Sequence, residues 1–286
     1  MNNRRLLSGC WIEVRQRVSS MRFIGTVILM IAMVAATATG IDRLMIDTQE
    51  WITPWMAPNI IDNAHFVMAY GFAMCYMYSD VPFMQKTELY KIVRKGKRRW
   101  CAEKILAISL QGLIMAILTI GMTILIFLPR VQFDWDWGKV IYTLAYSNSI
   151  YKYNIMAKGS QAIIDKYQPI QAMLICFIML WLEITLLGIF MFTLSLYINR
   201  TLAVAVSIAI IAMQMTVYLA PLMRVLVYVL PFYWCRMSIY GQQAFLDIYY
   251  PSFAYCLIAS ILGLVICVTA AMLRVRKKEF IWNNEE

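Results

Sequence analysis

The stretch from Asp80 to Lys104, DVPFMQKTELYKIVRKGKRRWCAEK, carries eight lysines and arginines against three acidic residues and lies between two long apolar segments. Such a cluster resists transfer across a bilayer, so it holds this loop on the cytoplasmic side and orients the segments on either side of it. A chain built around this loop is expected to be a polytopic membrane protein. Composition agrees: 62% of residues are hydrophobic and 15% charged, with a mean hydropathy of +0.64. A soluble domain is about half apolar and about a quarter charged. The formal charge of +10 falls in short segments beside apolar runs, where orientation and anionic lipid account for it, so nucleic acid is not expected as a partner.

The chain reads in order as follows. Residues 4–22 place Leu7, Trp11, Val14, Val18 and Met21 at helical spacing, the pattern of a helix lying in the cytoplasmic interface. Phe23 to Ile41 is the first run long enough to cross the hydrocarbon core. Its Ala36-Thr37-Ala38 imitates a signal-peptide cleavage site, but further spans follow, and the run is read as retained. Asp42 to Asn63, with Pro54, Pro58, Trp51 and Trp55, reads as a short outer loop with aromatic anchors. Ala64 to Tyr78 returns inward, and its lone His65 reads as a packed or interfacial residue. After the basic loop, Ile105 to Leu128 is a third span. The segment 130–168 is too long for an idle connection and reads as short elements at the outer surface. Ile170 to Ile198 and Thr201 to Ala220 are the fourth and fifth spans, joined by a tight turn at Asn199-Arg200. Residues 221–251, apolar but interrupted by Pro231, Arg236, Gly241 and Asp247, read as re-entrant outer half-helices. Ser252 to Leu273 is the sixth span.

Of the 26 lysines and arginines, 18 fall in the segments this layout places inside. The expected fold is therefore an all-α polytopic membrane protein, a single domain of six transmembrane helices with both ends in the cytoplasm. The seven cysteines include no C-x-x-C pair and read as small buried hydrophobes. One histidine cannot supply a zinc protease site. Neither a G-x-S-x-G nucleophile nor a G-x-x-x-x-G-K-[ST] phosphate loop occurs. The chain is expected to be neither an enzyme nor a nucleotide-binding protein, with no cofactor of its own.

Glu183 is the one clear ionisable group deep in a span. Facing lipid it would cost about 3 kcal/mol, so it is expected to face protein or a wet cavity. The polar groups available to it are Gln111, Gln214, Thr185 and Ser207. A packing role and a transport role both stay open.

The order of parts resembles the exporter-type permeases of ATP-binding-cassette transporters, the ABC type-2 group, over essentially the whole chain. The resemblance rests on the interfacial helix, the loop at 81–99, the Asn199-Arg200 turn, the interrupted segment 221–251 and the basic tail. It implies a permease subunit in a bacterial cell membrane that moves an amphipathic substrate outward, such as an antimicrobial peptide, a drug or a lipid-like molecule. ATP and Mg would be bound by a separate ATPase subunit, and a second permease chain would complete the pathway. In that family the loop after the second span forms a coupling helix that docks on the ATPase. Here the matching residues are Pro82, Phe83, Met84, Glu88, Leu89 and Tyr90, to which Val93 adds an apolar contact. An ATP-independent carrier using Glu183, or a structural membrane component, is the alternative.

Overall fold

The computed structural model describes residues 3–82, 88–147, 152–157, 159–219, 221–242 and 249–277. Among these the chain is all-α, with no strand beyond an isolated bridge between Ile52 and Val131. We number the helices α1 (Asn3–Val18), α2 (Met21–Ala38), α3 (Ile41–Thr48), α4 (Ala57–Ile61), α5 (Ala64–Tyr78), α6 (Glu88–Lys95) and α7 (Lys97–Leu125). There follow α8 (Gly138–Tyr146), α9 (Gln161–Lys166), α10 (Pro169–Tyr197), α11 (Arg200–Leu219) and α12 (Phe253–Lys277).

Five helices, α2, α7, α10, α11 and α12, are long and apolar enough to cross a membrane. Their outer faces remain apolar: Ile24, Ile28 and Leu29 on α2, and Ile258, Leu262 and Ile266 on α12, are all exposed. Such stripes suit lipid and would be a liability in water. Local chemistry sets where the helices begin. The Ser20 hydroxyl accepts from the Phe23 amide at 3.2 Å to cap α2, and Pro169 occupies the first turn of α10, where its missing N–H costs nothing.

The segment expected as the second span forms a helix with the bounds read from sequence, but it is unlike the other five. At 15 residues, α5 is about 22 Å long at 1.5 Å per residue. It is mostly buried, packed against α2, α10, α11 and the 3-10 turn Pro231–Cys235. The expected short outer loop before it is a folded layer instead: α3, the 3-10 turn Pro54–Met56 and α4 bury Ile52 and every residue from Met56 to Ile61. Polar side chains stitch this layer to the 130–168 segment. Thr53 donates to the Trp137 carbonyl at 2.6 Å and the Trp55 indole to that of Asp134 at 2.7 Å. Among the described residues, 221–242 form 3-10 helices, Pro221–Tyr228, Pro231–Cys235 and Met237–Ile239, where re-entrant half-helices were expected. They are pinned by Trp234 donating to the Val227 carbonyl at 2.6 Å and Arg236 to that of Asp62 at 2.7 Å.

Helices α10 and α7 approach closely. A side chain at Gly188 would place its first carbon 2.6 Å from Ile108 and 2.8 Å from the Tyr78 ring, and one at Gly112 would stand 3.0 Å from the Thr185 hydroxyl. Small residues at such crossings let two backbones meet where lipid offers no hydrophobic drive.

Candidate functional site

Two regions carry chemistry. The first joins α1, α6 and α7 at the basic end of the bundle. Lys104, 2% exposed, sets its ammonium 2.6 Å from Glu13 and 3.1 Å from Glu88. Lys91 closes the square, 3.0 Å from Glu13 and 2.6 Å from Glu88, while the Trp100 indole donates to Glu88 at 2.7 Å. Burial opposes ionisation of Glu13, but Lys104, Lys91 and Arg17 outweigh it and bring its carboxyl down to about 2. Beside this square, Glu103 takes Lys95 at 2.7 Å and Arg99 at 3.2 Å. Gly9 of α1 lies so close to Glu103 that an added carbon would come within 2.6 Å of its carboxylate.

This arrangement revises the reading of both amphipathic helices. On α1 the inward face is Cys10, Glu13, Val14 and Arg17, whereas Trp11 is exposed, as is Met21 at the start of α2. Paired charges can be buried, so polarity alone mislabels that face. On α6, Glu88, expected in the coupling loop, is 1% exposed, faces inward and ties α6 to α7. Leu89 is half-buried against the core, and Pro82 is half-buried too. Tyr90 and Val93 stand outward, 68% and 86% exposed. Phe83 and Met84 lie outside the described residues. Gly96, at φ +84° with open space around it, makes the sharp break that lets α6 fold against α7 instead of extending it. Nearby, Asp80 bridges Arg22 of α2 at 2.6 Å and Arg200 of α11 at 3.3 Å. That contact joins the end of α5 to the Asn199-Arg200 turn.

The second region surrounds Glu183, 1% exposed near the middle of α10. Ser260 of α12 donates to its Oε1 at 2.5 Å, and Oε2 has no hydrogen-bond partner among the described residues. Of the partners expected from sequence, none bonds to the carboxyl; Ser207 lines the same cavity but turns its hydroxyl to the Ala203 carbonyl. The cavity, of about 350 Å3, lies between α10, α11, α12 and the 3-10 segments. Its walls are apolar apart from Glu183 and Ser207, with Leu187, Ile211, Phe232 and Gly263 among them. Ser260 can also donate to the Cys256 carbonyl at 2.7 Å, so removing Glu183 does not strand it. Glu183→Leu is therefore expected to change stability by no more than about 1 kcal/mol, measured by thermal unfolding in mild detergent. A larger loss would assign the acid to packing.

The residues that sequence reasoning missed are Glu13, Trp100, Lys104 and Ser260. A signal was present for two of them. Trp100, Lys104, Ala107, Ile108 and Gln111 recur at three- and four-residue spacing, and all five are buried on one face of α7. Six of the seven cysteines are buried and all are free. Among the described residues no group of histidine, cysteine and acidic side chains could hold a metal ion. Compared with known proteins, the chain matches no family model, no curated protein and no solved structure.

Proposed function

We propose that this chain is the membrane permease subunit of an ATP-binding-cassette exporter of the type-2 group, moving an amphipathic substrate outward. In this reading α5 is a short sixth span, both ends lie in the cytoplasm of a bacterial cell, and a second permease chain faces the first. ATP and Mg sit on a separate ATPase subunit. The observation that supports it is α6: a two-turn helix fixed from behind by buried ion pairs, with Tyr90, Val93 and Arg94 turned outward. A helix held rigidly on one face and offering apolar side chains among cations on the other suits a groove on a partner. Its link through Glu13 and Lys104 to α1 and α7 gives a rigid path from that partner to a membrane helix.

The test is affinity purification of the full chain from its native membranes. An ATPase with a phosphate loop is expected to copurify, and Tyr90→Asp with Val93→Asp is expected to cut its yield at least tenfold, roughly the loss of one contact worth 1.4 kcal/mol. Membrane insertion and thermal stability should be unchanged, because both side chains are exposed. Recovery of the ATPase undiminished in that variant would remove α6 as its dock. The cavity beside Glu183 favours a second reading, an ATP-independent carrier; transport that persists without any copurifying ATPase and fails in Glu183→Gln would select it.

A further inference from the structure

The cavity at Glu183 has a composition that specifies a ligand. Among its described lining residues there is no lysine or arginine, so none of them offers the carboxyl a counter-charge. One of its oxygens is taken by Ser260 and the other has no partner among the described residues. A buried polar atom without a partner costs about 1–3 kcal/mol, and the structure does not need that expense for folding, since Ser260 keeps Cys256 as an acceptor. The remaining surface is hydrocarbon: Leu186, Leu187, Ile210, Ile211 and Leu226 form much of the wall. At about 350 Å3 the cavity falls within the roughly 300–1,000 Å3 of pockets that enclose small ligands.

We propose that this cavity binds a hydrocarbon-bodied primary amine, with the ammonium on the free oxygen of Glu183 and the chain along the apolar wall. The amine and the carboxyl share one proton between them, so the pair is ammonium and carboxylate when bound, and no other reactant is needed. A charge-assisted hydrogen bond is about twice as strong as a neutral one, and in apolar surroundings it selects an amine over an alcohol of the same length. The assignment stands whether or not an ATPase drives the chain.

The test uses the full chain in lipid nanodiscs with two photoreactive probes, a twelve-carbon amine and the matching alcohol, each carrying a diazirine on the hydrocarbon. The amine is expected to label α10, α11 and α12 around the cavity, in competition with unlabelled dodecylamine. Glu183→Gln, which keeps shape and an acceptor, should lower cavity labelling by the amine about tenfold, the factor set by 1.4 kcal/mol, and labelling by the alcohol far less. Gly263→Leu should lower both by filling the space, since the first carbon added there meets only the flexible end of Leu186, at 3.3 Å. Equal amine labelling in Glu183→Gln would overturn the ligand class. Labelling confined to the lipid-facing surface, unchanged by Gly263→Leu, would overturn the site itself.

Discussion

Lys104→Met is expected to destabilise the protein by about 3 kcal/mol, the lower end of the range for breaking a buried ion pair by removing one partner. Methionine nearly fills the lysine's volume, so packing is largely kept and the loss reports charge. Glu13 and Glu88 would then share Lys91, with Arg17 3.9 Å from Glu13 and Trp100 still donating to Glu88. Those remaining partners hold the cost to the low end. The pH dependence gives a second readout. Glu13 ionises at about 2 in the folded chain against an ordinary 4.5. The stabilisation it contributes is therefore complete above pH 4.5 and lost as the pH falls toward 2. Unfolding measured across that window should be steeper in the native chain than in Lys104→Met. An unchanged midpoint and an unchanged acid limb would mean that the square of charges is not a fastening.

Gly188→Leu is expected to cost about 3 kcal/mol, and Gly188→Ala about 2. The first added carbon would stand 2.6 Å from Ile108 and under 3 Å from two atoms of the Tyr78 ring. Tyr78 is fully buried and donates to the Ile108 carbonyl at 3.3 Å, so the ring cannot swing aside without losing that bond. Gly112→Ala makes a graded control. Its nearest neighbours are side-chain atoms at 3.0 and 3.3 Å, which can give way, and it should lose about 1 kcal/mol. Thermal unfolding of the three variants in one detergent checks the order; equal losses at both glycines would show that α7 and α10 adjust freely.

Much of this architecture was legible because apolar run length and the placement of cations are local properties. Ala64 to Tyr78 was read with the bounds of α5, and the turn at Asn199-Arg200 separates α10 from α11 as expected. What was not legible depended on partners distant in the chain. Glu13 and Lys104 are 91 positions apart, and each alone looks like a surface charge. Ser260 is 77 positions from Glu183 and reads as one more small residue in an apolar span. The folded layer from Ile52 to Ile61 reads as loop in sequence because Pro54, Pro58 and Trp55 are turn and anchor signals, while its burial comes from the bundle beneath it. Amphipathic faces were the weakest inference. On α1 and α6 the paired charges point inward, reversing the usual sense of the pattern.

The shortness of α5 bears on how the chain is made. Fifteen residues fall below the roughly 20 that hold a helix across a bilayer unaided. Its neighbours α2 and α11 come from before it and from more than a hundred residues after it. During synthesis, then, α5 is expected to settle fully only once α10 and α11 have left the ribosome and can close around it. A ribosome stalled just after residue 165 should therefore leave α5 accessible to water-soluble labels, while one stalled after residue 250 should not.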